Sequence, residues 1–496
     1  MRGSMWFTQT RLAVALVAAL VVGCAGVWMP TPSWTESPAA PASPTPAVVE
    51  PPTPTPSPGP TPTPTPTPAP TPEALTADLD FGGEQRLAPA DGQARVEVSA
   101  RVQLDGGGSA AGRLVHLRPV IGDDITAVEP VQPVGADGSL SFALTAGAPG
   151  VHELGLYDAA GWSGDQPLAT IEVEFTRKVV LLAPGFQSAL AKRYLTFGEP
   201  GECGQPTVPR SITEALICLG FEPDVTIVDM AWEPAPCRPA DAERDPPRAD
   251  CVATIRPTDE GTDVTWQPAD YDLADLGLSL LRQQQIDLWG HRLARTLVTY
   301  NEELRDVRGS RASFYLVGHS LGGQVVLRAL HAIVADEALR VHFAGDNRGL
   351  LPAVVSVDGA LNWAGQVELI GEPRCGLPVR TLPDAGRAHA NAAVVGQANE
   401  LLGTTTVAMT SATDPIVTPD VALLRDPVPV RGYLEELHHA DGPEGGCSHS
   451  ALLWPEPTGF PLREVFEEHI GRAAGEWARR SGRPPATRRA WSARCA

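Results

Sequence analysis

At 496 residues the chain is long enough for two or three domains, each with its own core. Its 43% apolar content and 11 tryptophans suit globular parts, whereas 50 prolines do not fit one uniform compact domain. With 59 acidic against 38 basic side chains the net charge is −21, which argues against a nucleic-acid partner and suits a soluble body outside the cell.

The first residues read as an export signal. Arg2 and Arg11 precede the apolar run Leu12–Val22, which is too short to span a bilayer as a stable helix. The run ends in Val21-Val22-Gly23-Cys24, which resembles a bacterial lipobox. That resemblance implies that residues 1–23 are removed, that Cys24 carries a lipid, and that the protein is anchored to a membrane without spanning it. Residues 24–74 then form a linker. Its core, Pro30 to Pro72, repeats Thr-Pro and favours extended polyproline II. About 43 residues at roughly 3.1 Å each reach some ~130 Å, enough to hold a body well away from the membrane.

Residues 75–177 alternate in short runs. Ala94–Val102 alternates cleanly, and Val115–Val120, Leu140–Leu144 and Ile171–Phe175 follow, separated by turn clusters such as Asp105-Gly106-Gly107-Gly108. Regular short strands with glycine turns predict a β-sandwich. Pro89-Ala90-Asp91-Gly92, Asp137-Gly138 and Ala148-Pro149-Gly150-Val151 resemble bacterial Ig-like domains of surface proteins. His116 and His152 are ordinary strand or turn residues in this reading.

From Lys178 the period changes. Val179–Ala183, Val225–Val228, Phe314–Val317, Ala353–Val357 and Thr405–Met409 are continuous apolar runs, as in buried parallel strands. Helical patterns lie between them at Ile212–Leu219, Leu281–Leu304 and Gly323–Ala335, so residues 178–480 read as a parallel α/β sheet domain, with 481–496 as a tail. The polar run Cys237–Asp270 reads as a surface insertion, decoration in preference to a lid. Seven cysteines follow Cys24, and export predicts disulfides. Neighbour pairing suggests Cys203–Cys218, Cys237–Cys251 and Cys375–Cys447 and leaves Cys495 over; no C-x-x-C spacing points to zinc.

Gly318-His319-Ser320-Leu321-Gly322 carries the chemistry. An apolar strand-like run leads into it and a helix-like run leads out, the context of a nucleophile elbow. A serine needs a base to take its proton and an acid to orient that base. Asp414, just beyond the run Thr405–Met409, is the first candidate acid; Asp358, just beyond Ala353–Val357, is the alternative. His449 is the candidate base, with His438 and His439 as substitutes at the end of a strand expected near Gly432–Leu437. His319 is read as packing beside the nucleophile. His291, His331 and His469 lie in helical runs and read as structural or solvated.

Taken with Thr413-Asp414-Pro415-Ile416-Val417 and His449-Ser450-Ala451-Leu452-Leu453, the elbow makes residues 178–480 resemble an α/β-hydrolase of the lipase/esterase group. The resemblance implies a Ser320–His449–Asp414 triad and a closing helix over Pro461–Arg479. It also implies an oxyanion hole from the amides of Leu321 and of Phe186, the latter in Ala183-Pro184-Gly185-Phe186-Gln187. Pro184 departs from the His-Gly frequent there. The sandwich ends where the oxyanion strand begins, so the sheet is expected to be a shortened form lacking the first two strands. The resemblance implies small-molecule or lipid carboxylic esters as substrates, with no metal or organic cofactor. Acyl transfer, peptide hydrolysis and polyester cleavage use the same machinery and stay open, as does a non-catalytic surface binding protein. Oligomeric state is not legible.

Overall fold

The computed structural model describes residues 73–83, 85–122, 125–160, 166–183, 185, 226–227, 251–257, 262–268, 283–374, 377–424, 429–438, 449 and 452. Cys24, the linker up to Pro72, Phe186, His439, His469, the helical patterns at 212–219 and 461–479 and every cysteine except Cys251 lie outside the described residues.

The N-terminal part is a two-layer β unit. One layer has the order β1 (Leu75–Phe81), β3 (Val96–Leu104), β7 (Ser139–Ala146), β5 (Ile125–Ala127). The other contains β6 (Val131–Pro133), β4 (Leu114–Pro119), β8 (Gly150–Asp158) and the first half of β9 (Ala169–Ala183), with β2 (Leu87–Pro89) alongside β9. Strict alternation sets the inner faces: Val96, Val98, Ala100 and Val102 of β3 are buried while Glu97 and Arg101 are exposed. They meet Leu117, Leu154, Leu156, Val173 and Phe175 from the facing layer in one apolar core.

Strand β9 joins this unit to the rest. Its Ala169–Phe175 stretch pairs antiparallel with β8, whereas Arg177–Ala183 pairs parallel with β13 (Ala312–His319). Ile171–Phe175 and Val179–Ala183, read above as strands of separate domains, are therefore one strand. The intervening Thr176-Arg177-Lys178 has no Gly, Pro, Asn or Asp to turn the chain. The burial pattern changes along it, from alternating to continuous, because the first half covers one core and the second is covered on both faces.

Beyond β9 the sheet continues in parallel through β13, β14 (Ala353–Val357), β17 (Thr405–Ser411) and β18 (Tyr433–His438), and β10 (Thr226–Ile227) pairs β9. Helix α1 (Gln283–Arg308) packs on α2 (Leu321–Ala335), which lies on β13 and β14. Trp289, Leu293, Leu297 and Tyr300 of α1 enter the same core as Val325, Ala329 and Ile333 of α2. Helix α3 (Ala385–Leu402) starts on Asp384, whose carboxylate accepts from the amides of Gly386 and Arg387, and stops at Gly403 with φ 74°. Among the described residues two hairpins decorate the second part. One, β11 (Cys251–Pro257) with β12 (Thr262–Pro268), lies inside the predicted insertion. The other, β15 (Trp363–Arg374) with β16 (Leu377–Pro383), was not expected from the sequence.

The junction between the two parts is polar and tightly paired. Glu174 of β9 accepts from the Arg311 backbone amide at 2.9 Å and from its guanidinium Nη2 at 2.7 Å and Nε at 3.0 Å. Lys178 pairs with Asp91 at 2.8 Å, both nearly buried. Thr176 and Ser313 hydroxyls meet at 2.6 Å, and Leu87 of β2 inserts into the core of the second part.

Candidate active site

Parallel register brings three strand ends to one edge. Gly318 pairs with Ala183, and His319 with Val357, so Ser320, Gly185 and Asp358 all emerge together. Ser320 sits between β13 and α2 with φ 53° and ψ −120°, a left-handed conformation that costs a non-glycine residue about 1–3 kcal/mol. Its amide donates to Val357 O at 3.0 Å, and its carbonyl accepts from Gly323 and Ala360 amides at 3.1 and 3.2 Å. These contacts hold the strained turn. Crowding explains the glycines: a Cβ on Gly318 would strike the Gly322 carbonyl, and one on Gly323 would lie 2.5 Å from Ser356 Oγ.

The Ser320 side chain makes no capping bond to its own helix, which leaves the hydroxyl free. Its Oγ lies 2.9 Å from His449 Nε2, and His449 Nδ1 lies 2.7 Å from Asp414 Oδ2. A carboxylate accepts only, so Nδ1 carries the proton and Nε2 is left to accept from the serine. Asp414 is fixed in turn: its Oδ1 accepts from the amides of Ile416 and Val417 at 2.8 and 3.0 Å, and its amide donates to Ser411 O. Asp414 and His449 are 4% and 9% exposed, so the pair works at low effective dielectric. Burial lowers the pKa of His449, but the charge and hydrogen bond of Asp414, with the charge of Asp358 once that ionises, outweigh it. The net shift is upward from 6.5.

The alternative residues are placed elsewhere. Asp358, buried and left-handed at φ 45°, makes no hydrogen bond to the imidazole. Its Oδ1 accepts from Thr410 Oγ1 at 3.0 Å and the Ser411 amide at 2.8 Å, and its Oδ2 is buried without a hydrogen-bond partner among the described residues. Burial, and secondarily the Asp414 charge, push this carboxyl up to about 8. His438 ends β18, its carbonyl accepting from the Ala412 amide, and His449 takes the place beside Ser320. His291 faces Asp336 at 3.6 Å, and His331 Nε2 meets Asn391 Oδ1 at 3.0 Å.

For the oxyanion hole, Leu321 opens α2, where backbone amides lack intrahelical acceptors and the helix dipole favours negative charge. Gly185, two residues beyond β9, lies against the elbow: a Cβ on it would lie 2.9 Å from Ser320 Cβ and 3.0 Å from His319 Nδ1. Phe186 itself is outside the described residues. One further contact carries no local sequence signal. His319 Nε2 lies 2.9 Å from the carbonyl oxygen of His449, with the two rings 5.1 Å apart.

No protein-family model matches this chain, and no curated protein matches it. Solved structures do. The D0-D1 domain of intimin is 15% identical over 22% of this chain and 58% of that one, with a TM-score of 0.17. Invasin, a bacterial integrin-binding protein, is 23% identical over 21% of this chain and 19% of that one, with a TM-score of 0.17. A C. elegans MSP family member, WR4, is 11% identical over 20% of this chain and 94% of that one, with a TM-score of 0.15. The two-layer β arrangement rests on the strand pairing described above, and the matches add no argument about chemistry.

Proposed function

We propose that this chain is an exported serine hydrolase of the α/β-hydrolase type that cleaves carboxylic esters through an acyl-enzyme. The observation that carries the reading is the continuous Ser320–His449–Asp414 hydrogen-bond chain on a left-handed strand-to-helix turn. In the first half-reaction His449 Nε2 accepts the Ser320 proton as Oγ bonds to the ester carbonyl carbon. The carbonyl oxygen becomes an oxyanion facing the Leu321 amide, with the Phe186 amide as the second donor. The tetrahedral centre then expels the alcohol, which takes the proton from His449. Water repeats the sequence on the acyl-enzyme and releases the carboxylic acid and free Ser320. Asp414 keeps the imidazole in the Nδ1–H tautomer and stabilises its cation. In this reading the Cys24 lipid and the linker tether the hydrolase at the cell envelope, and the β unit is an Ig-like module of a surface protein.

A fluorophosphonate probe tests the assignment. Folded protein is expected to be labelled on Ser320, and Ser320→Ala to remain unlabelled. Folded wild-type protein that takes up no label would sink the reading in favour of a binding protein. The pH dependence has a definite sign. The base must be neutral to accept a proton, and its pKa lies above 6.5. Accordingly kcat/KM for a p-nitrophenyl ester is expected to fall as pH drops through that raised value, with the acid limb above 6.5. A limb well below 6.5 would mean that Asp414 does not charge-pair with the base.

A further inference from the structure

The histidine inside the elbow has chemistry that the triad does not use. His319 precedes the nucleophile, yet its Nε2 lies 2.9 Å from the backbone carbonyl of His449, 130 positions along the chain. A carbonyl oxygen only accepts, so His319 Nε2 carries the hydrogen and Nδ1 holds the lone pair. That Nδ1 faces Gly185, the start of the loop proposed to supply the second oxyanion donor. One imidazole thus stands between the three chain segments that must keep register with the Ser320 hydroxyl: the elbow itself, the base and the loop after β9. The site requires the base to approach Ser320 within hydrogen-bonding distance, and His449 reaches it from a segment outside the regular strands. We propose that His319 is a positioning residue: its Nε2–H pins the His449 main chain to the elbow and so sets the distance between His449 Nε2 and Ser320 Oγ.

The environment suits that role. His319 is partly buried at the end of β13, and desolvation, followed by the charge of His449, pushes its pKa down to about 3. It therefore stays neutral while His449 gains and loses its proton. A cation there would oppose the imidazolium that forms in each half-reaction. The carbonyl it serves would otherwise be a buried acceptor without this partner, and a misplacement of about 1 Å at a reacting group can cost about 100-fold.

The inference rests on the hydrolase reading, and one experiment separates the two. Fluorophosphonate labelling rates and the pH profile of p-nitrophenyl butyrate hydrolysis are measured for wild type, His319→Leu, His319→Asn and His319→Gln, with folding checked by circular dichroism. The glutamine amide reaches the position of Nε2, while the asparagine amide stops near Nδ1. Leucine and asparagine are expected to slow labelling and lower kcat about 10–100-fold with little change in KM. Their acid limb should also move to lower pH as the His449–Asp414 contact loosens. Glutamine should recover most of the loss and restore the limb. A folded His319→Gln that loses as much as His319→Leu, or leucine and asparagine variants that match wild type, would overturn the proposal. Wild type without label would instead overturn the hydrolase reading, and this inference with it.

Discussion

Alanine at Ser320 and alanine at His449 are each expected to lower kcat by about a million-fold, and the double variant to be no slower than either single one. The reason is geometric. In the proposed mechanism the hydroxyl 2.9 Å from His449 Nε2 attacks only as its proton leaves, and the imidazole takes that proton and returns it. Each group is useless without the other, so their free energies cannot add. Asp414→Asn should cost about 10,000-fold: an amide nitrogen facing Nδ1 favours the tautomer that places a hydrogen on Nε2, where the serine needs an acceptor. Steady-state hydrolysis of p-nitrophenyl butyrate, normalised to folded protein, measures all four. Losses that multiply in the Ser320→Ala/His449→Ala double variant would mean that the two residues act independently, and the triad would have to be abandoned.

Breaking the junction between the two parts is expected to have the largest effect on stability. Glu174 is almost fully buried, and it receives both the guanidinium and the backbone amide of Arg311. Arg311→Leu leaves that carboxylate inside the protein with no cation, which typically costs about 3–5 kcal/mol. For a body of this size the melting temperature should fall by roughly 6–12 °C or more. Replacing both partners by leucine should recover much of the loss, since the buried charge is then gone too. Strand β9 is half in each part, so one cooperative transition is expected, with ester hydrolysis lost at the same temperature as the β signal in circular dichroism. Two separate transitions, with only one moved by Arg311→Leu, would show that the shared strand does not couple the parts.

Some features were legible because their signal is local. The alternation of β3 is a two-residue period, and the continuous burial of β13, β14 and β17 follows from unbroken apolar runs. The elbow needs only the close spacing of Gly318, Ser320 and Gly323, since the collisions they avoid lie within the same turn or against the next strand. Other features were not. The hairpin β15–β16 has irregular register, so its alternation is broken in the sequence. The unbroken strand from Ala169 to Ala183 reads as two from the sequence because its apolar pattern changes half-way, although no turn residue separates the halves. The choice of Asp414 over Asp358 could be ranked from sequence but not made, because both carboxylates follow buried strands at the same sheet edge.

What the sequence determined by itself was the chemical inventory and its order: an apolar N-terminal run ending at Cys24, a proline-rich stretch, strand-forming runs, and a serine, two acids and several histidines in a particular succession. Tertiary structure decided which of those groups touch. Hydrogen bonds between residues 320 and 449, or 174 and 311, depend on strand register and loop path across more than a hundred positions. No local propensity encodes such a meeting; it follows from burying both sides of one sheet at once.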